Sequence, residues 1–280
     1  MEQLSGGLVL VLVAGTTMRP GQAQGPHRPS LPPPVPTDPK TASLNKPTLA
    51  KVGDTPTYLI TYLKREVYMS SEEILKEVAA EASICTKCDL YKSRTKAVPG
   101  EGNPHAKIMF IGEGPGFHED KQGRPFVGPA GQFLEELLAS INLKRADVFI
   151  TNVVKCRPPG NRDPLPQEIN ACNEYLDRQI AAINPLIIVT LGRYSMVKFF
   201  GSEKISAIHG RARQVDGRMC IAMYHPAAGL HQQGLKDTIR ADFKKIPLVI
   251  AEAERLAAEG KLKAEPPRPK EEPPEQLALF

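Results

Sequence analysis

The sequence predicts a three-layer α/β/α domain on a central, mostly parallel four-stranded sheet, flanked by disordered N- and C-terminal tails. Three observations carry this. Short Ile- and Val-rich runs alternate with helical patterns between about residues 70 and 260, the rhythm of a parallel sheet with helices on both faces. The runs are apolar throughout, as strands buried on both faces require. Residues 19–56 and 264–280 are loaded with Pro and polar side chains, a composition that cannot bury enough surface to order itself. The expected organisation is a largely disordered extension (1–69), one domain (70–260) and a disordered tail (261–280).

In chain order, Lys107–Gly112 (KIMFIG) reads as a buried strand and Pro129–Ile141 (PAGQFLEELLASI) as the helix after it. Asp147–Val154 (DVFITNVV) is the second strand, and Pro166–Ile183 the next helix, with Pro at its first turn. Leu186–Leu191 (LIIVTL) and Met219–Tyr224 (MCIAMY) are the third and fourth strands, and one long amphipathic helix over about Leu235–Leu256 closes the unit. The loops after the strands are chemically unusual: Gly-Glu-Gly-Pro-Gly, Thr-Asn with Cys-Arg-Pro-Pro, Gly-Arg, and His-Pro. Ligands of open α/β sheets bind beyond the carboxyl ends of the strands, so these loops are expected to converge on one site.

Composition narrows the class. Of 280 residues, 41% are hydrophobic, enough for a sizeable core, and the formal charge of +5 favours an anionic partner. Trp is absent, so any base stacking falls to Phe, Tyr or His. Five Cys in a chain of this length fit thiols or metal ligands in a reducing compartment better than disulfides. The apolar run Gly7–Gly15 is too short to span a bilayer and follows Glu2 rather than basic residues. A cytoplasmic monomer without a membrane segment is expected.

Cys85 and Cys88 form C-x-x-C, Cys156 follows the second strand, and Cys172 sits on the next helix. Four thiolates suit either zinc or a four-iron cluster. The second pair is C-x15-C rather than another knuckle, which weakens zinc without removing it. Cys220, in an apolar strand, reads as a small buried hydrophobe.

GEGPG (112–116) with Glu119-Asp120, GRPFVG (123–128) with Ala130-Gly131, TNVVKCRPPGNRDP (151–164) and HPAA (225–228) follow one another in order. With the cysteines between them, these motifs resemble the type-4, iron–sulfur uracil-DNA glycosylases over roughly Ile84 to Lys245. The relatives of type 5 carry an apolar residue where Glu113 stands. The resemblance implies excision of uracil from DNA, a [4Fe-4S] cluster on Cys85, Cys88, Cys156 and Cys172, and a flipped base read on its Watson–Crick edge. It implies that Asn152 reads that edge, Phe126 stacks on the base and the Glu113-Gly114 turn offers backbone amides. His225 is expected to stabilise charge on uracil O2, while Glu113, Glu119 and Asn161 serve the sugar cation or the attacking water. DNA contacts are expected from Leu230 as a wedge and from Lys236 and Arg240 at phosphates. Gly229, His231 and two Gln depart from the bulkier apolar residues usual there.

Two other classes compete: a non-catalytic or covalently trapping uracil-DNA binder, and an electron-transfer iron–sulfur protein. Intact Glu113, Glu119, Asn152 and His225 speak against the first, as does the lack of an Arg-rich insertion at His209–Arg211. The second leaves GEGPG and HPAA without a purpose. A last motif lies in the tail, where Gln276, Leu277, Ala278, Leu279 and Phe280 (QLALF) follow PPRPKEEPPE. It resembles the peptide that docks on the bacterial DNA polymerase sliding clamp, with Gln276 orienting and Leu277, Leu279 and Phe280 filling a pocket.

Overall fold

A computed structural model describes residues 69–262. Residues 1–68 and 263–280 lie outside the described residues, and with them nearly all of both expected tails and the whole Gln276–Phe280 peptide. The helices are α1 (Ser71–Ile84), α2 (Phe117–Gln122), α3 (Pro129–Ala139), α4 (Pro166–Ile183), α5 (Arg193–Phe200), α6 (Ile205–Ile208), α7 (Pro226–His231), α8 (Gln233–Phe243) and α9 (Ile246–Ala258). The strands are β1 (Glu101–Gly102), β2 (Ile108–Gly112), β3 (Phe149–Asn152), β4 (Ile187–Leu191), β5 (Ala212–Val215) and β6 (Arg218–Met223).

The sheet has six strands in the order β1-β3-β2-β4-β6-β5, not the four expected. The four apolar runs are the central strands, mutually parallel, with Phe110 opposite both Ile150 and Val189, and Val189 opposite Ile221. All four are buried along their length. The additions are antiparallel edges. β1 has only two residues, and β5 is half-exposed and carries Arg213, paired with Glu203. Short or charged edges of this kind discourage pairing with another chain.

The two-residue pleat sorts β2 between two cores. Ile108 and Phe110 pack with Phe133, Leu137, Ile239 and Phe243 from α3 and α8, joined by Ile246 and Ala253 of α9. Met109 and Ile111 face Leu176, Ile180, Met196 and Phe200 from α4 and α5. The three layers are therefore as expected. The long closing helix is instead two helices, α8 and α9. Pro247 lies in the first turn of α9; it has no N–H for the Phe243 carbonyl and its ring would clash there.

A third, smaller core joins α1 to α4 through Val78, Leu90, Val154, Tyr175, Cys156 and Cys172. α1 opens with a capping box: Ser70 Oγ accepts from Glu73 N at 3.3 Å, and Ser70 N donates to Glu73 Oε2 at 2.8 Å. None of the helices among the described residues is long and apolar enough to cross a membrane.

Candidate active site

The carboxyl ends of β2, β3 and β6 open onto one cleft of about 260 Å³. Glu113, Gly114, Glu119, Phe126, Asn152, Asn161 and His225 all line it, so seven of the expected residues converge. Gly112 and Asn152 are register partners on β2 and β3. That pairing puts the Asn152 carboxamide beside the GEGPG turn. A Cβ on Gly112 would lie 2.4 Å from Asn152 Oδ1 and 2.7 Å from Phe126 Cζ, so only glycine permits this approach. Phe126 itself has φ of 51°, a left-handed conformation that non-glycine residues seldom adopt.

Asn152 is 1% exposed, and its Oδ1 has no hydrogen-bond partner. A buried acceptor left without a donor is costly unless a ligand supplies one. His225 is the N-cap of α7, where Nδ1 accepts from Ala227 N at 3.1 Å. Because Nδ1 accepts, the ring proton resides on Nε2. Burial pulls the imidazole down to about 4, against the opposing charge of Glu119, so the ring is neutral at ordinary pH. It lies nearly parallel to Phe126, with ring centroids 5.5 Å apart.

The two carboxylates differ. Burial pushes the Glu113 carboxyl up, opposed by the Tyr194 and Arg193 amides and by the Arg193 charge. Its Oε1 accepts from Tyr194 N at 3.3 Å, a contact made possible by Gly192, whose Cβ would lie 2.4 Å away. Glu119 Oε1 accepts from Val127 N and Gly128 N at 2.9 and 2.8 Å and so clamps the loop that carries Phe126. Asn161 sits on the rim with φ of 56°, its Oδ1 accepting from Arg157 Nε at 2.7 Å.

Cys85, Cys88, Cys156 and Cys172 line a second pocket with Arg94 and Tyr175. Burial pushes the Cys88 and Cys156 thiols up, and Cys172 to about 11. Donors nonetheless face three sulfurs: Lys155 N to Cys172 Sγ at 3.2 Å, Arg94 Nη1 to Cys156 Sγ at 3.3 Å, and Lys87 N to Cys85 Sγ at 3.5 Å. That donor set suits negatively charged sulfur and so fits a group bound through four thiolates. Among the described residues no three Cys, His, Asp or Glu side chains are grouped as a single metal ion requires. Cys220 is fully buried in β6, away from this pocket, as expected.

Sequence reasoning overlooked Lys155, which joins the two pockets. Fully buried, it donates through Nζ to Thr151 Oγ1, Gln179 Oε1 and the Asn152 carbonyl at 2.7, 2.7 and 2.8 Å. Burial pulls its ammonium down to about 8, with the Cys172 sulfur opposing. A lysine in the otherwise apolar run 153–156 (VVKC) was the available signal.

The expected DNA contacts lie apart from the cleft lining. Leu230, at the end of α7, is 41% exposed, as a wedge must be. Lys236 and Arg240 both stand over the Phe133 ring, and Arg240 also pairs with Asp237 at 3.4 Å and Glu136 at 3.7 Å. Arg240 is thus partly neutralised, which sets it apart from Lys236.

The family model for the uracil DNA glycosylase superfamily matches residues 99–246, a span that contains the whole cleft. The type-4 uracil-DNA glycosylase of Archaeoglobus fulgidus is 49% identical over 183 residues, covering 62% of this chain and 92% of the relative. That of Thermotoga maritima is 44% identical over 179 residues, covering 62% and 93%. A type-5 uracil-DNA glycosylase of Thermus thermophilus is more distant, at 32% over 183 residues, covering 58% and 81%. With Glu113 on the first loop and the match to type 4 the stronger one, the chain belongs to the uracil DNA glycosylase superfamily and, within it, to the type-4 enzymes.

Proposed function

We propose that the chain finds uracil in DNA, flips it into the β2–β3–β6 cleft and hydrolyses its N-glycosidic bond, leaving an abasic site. The observation that carries this reading is the buried, partnerless Oδ1 of Asn152. Uracil N3–H donates to Oδ1, and uracil O4 accepts from the carboxamide nitrogen. Cytosine presents the reverse pattern at that edge and leaves both groups unsatisfied. Phe126 supports the ring, and amides of the Glu113-Gly114 turn add hydrogen bonds.

Bond breaking is dissociative and puts negative charge on uracil and positive charge on the sugar. His225, neutral with its proton on Nε2, donates to O2 as that charge grows; one such donor lowers a barrier by about 3–4 kcal/mol. Glu113 faces the sugar cation and the water. Glu119, with one oxygen committed to two backbone amides, chiefly holds the Phe126 loop in place. Asn161 and Arg157 brace the rim.

Cys85, Cys88, Cys156 and Cys172 hold a [4Fe-4S] cluster, which supplies a rigid cross-link between the segment after α1, the loop after β3 and α4. The enzyme works as a cytoplasmic monomer on single- or double-stranded DNA, with Leu230 as the wedge and Lys236 at phosphate. The Gln276–Phe280 peptide, outside the described residues, docks the enzyme on the replicative sliding clamp.

The test is single-turnover excision from an end-labelled uracil oligonucleotide by anaerobically purified protein, read by alkaline strand cleavage. In a companion reaction with the oligonucleotide in excess, wild type is expected to release uracil in excess over protein, which a trapping binder cannot do. Asn152→Ala is expected to lose at least about 100-fold in rate while remaining folded. Wild-type rates in that variant would overturn the assignment.

A further inference from the structure

The proposed chemistry makes no use of Phe117, the first residue of α2, although it is 44% exposed beside the cleft. Its neighbour Gly116 lines the cleft, and its other neighbour, His118, stands edge-on to its ring at 5.5 Å. Two cations stand over the ring: Lys121 Nζ at 4.4 Å from the centroid and Arg157 Cζ at 5.2 Å. Arg157 belongs to the opposite lip, where it holds Asn161. The contact therefore bridges the two lips, GEGPG on one side and CRPPGN on the other. Many surface cations here are ion-paired, as Arg124 is with Glu101 and Arg193 with Asp163. Among the described residues neither Lys121 nor Arg157 has a carboxylate within ion-pair distance.

We infer that Phe117 is a stacking platform for the base next to the flipped uracil on the same strand, with Lys121 and Arg157 at the phosphates on either side. An exposed aromatic ring between unpaired cations is the chemistry that binds single-stranded nucleic acid. A cation over an exposed ring is a weaker contact than a base stacked on it. An incoming base therefore displaces Lys121 Nζ and the outer guanidinium nitrogens of Arg157 from the ring face, and these turn to the adjacent phosphates while Arg157 Nε stays on Asn161. The chain has no Trp, so this duty falls on an exposed Phe. With uracil out of the stack, its neighbour loses a stacking partner, and Phe117 replaces it at the mouth of the cleft.

This inference rests on the proposed activity, and the test separates the two. Full-chain holoprotein is titrated with a single-stranded oligonucleotide that carries 2′-fluoro-2′-deoxyuridine, which resists cleavage, beside 2-aminopurine. Wild type should quench the 2-aminopurine, and Phe117→Ala should bind about tenfold more weakly without quenching it. Phe117→Leu, which keeps apolar bulk without the ring, should behave like Phe117→Ala, while Phe117→Trp should restore both affinity and quenching. In excision assays the loss should appear in the half-saturating DNA concentration rather than in the saturated rate. If wild type excises uracil and the Ala and Leu variants bind and quench as wild type does, the platform is wrong and the activity stands. A saturated rate that falls with affinity unchanged also overturns it. If wild type releases no uracil from a cleavable oligonucleotide, the proposed activity itself fails.

Discussion

Gly112 decides how near Asn152 and the Phe126 ring can come, because a single Cβ there would collide with both. Overpacking of this kind typically costs about 1–3 kcal/mol. Here the strain falls on the carboxamide proposed to read the base, so Gly112→Ala should reduce single-turnover excision at least about tenfold in a protein with an unchanged circular dichroism spectrum. An unimpaired Gly112→Ala enzyme would mean that Asn152 and Phe126 do not hold the base as described. His225 sets a different test. Its folded imidazole is depressed to about 4 by burial, whereas an unfolded chain takes up a proton near 6.5. Acidification from about pH 6.5 to 4 therefore favours the unfolded chain, and this loss of stability levels off once the folded ring protonates as well. The proposed excision step needs the neutral ring, which persists across that window. The single-turnover rate should thus show no His225 inflection between pH 5 and 8, and an inflection near 6.5 that vanishes in His225→Gln would refute the assignment. Asn152 and His225 were legible in the sequence because their chemistry travels with the side chain. Phe126 was named as well, but its left-handed backbone and the close approach that Gly112 permits were not readable, since each depends on a contact across strands or loops that no local pattern encodes.

The cysteine pocket is a joint between elements. Arg94 Nη1 donates to the Cys85 carbonyl at 2.8 Å as well as to Cys156 Sγ, and Val98 N donates to the Lys155 carbonyl at 2.7 Å. The segment after α1 is thereby laced to the loop that follows β3 and Asn152. Anaerobic protein should be brown with about four irons per chain. Ser at Cys85, Cys88, Cys156 or Cys172 should each abolish the colour and expose residues 85–98 to limited proteolysis, while Cys220→Ser keeps both colour and resistance. Colourless protein with one stoichiometric zinc would sink the cluster and leave the fold untouched. The central strands were readable from their apolar runs, as were α3 and α4 from their period and first-turn prolines. The break between α8 and α9 was equally readable at Pro247, and the start of α1 at Ser70 and Glu73, yet amphipathic periodicity masks the first and the family motifs begin only after the second. The edges β1 and β5 were not readable. Two residues carry no period, and a half-exposed strand with Arg213 and Gln214 resembles a loop.

At the scale of the whole chain, the proposed reading of the site says which base is cut but not how the chain is brought to its DNA. A net charge of +5 on 280 residues gives weak, sequence-blind attraction to any duplex. The sequence PPRPKEEPPE followed by QLALF offers a more selective route. In the proposed docking, Leu277, Leu279 and Phe280 are the apolar anchors and the Pro-rich stretch before them is the spacer. The anchor need not be tight. Once it is docked, the catalytic domain samples nearby DNA at an effective concentration set by the spacer, which can raise apparent affinity by about 10²–10⁴ without any new contact. The 264–280 peptide should therefore bind the sliding clamp of the same organism in a fluorescence-anisotropy titration, and Leu279→Ala with Phe280→Ala should abolish that binding. On clamp-loaded primed DNA, removing Gln276–Phe280 should slow uracil excision about tenfold or more, the low end of what tethering supplies. On short naked oligonucleotides, too small to hold a clamp, the truncated and full chains should cut alike. If the truncated chain retains its clamp affinity, the peptide is not the anchor, whereas a truncated chain that is slow on naked DNA as well would show that these residues serve the catalytic domain instead.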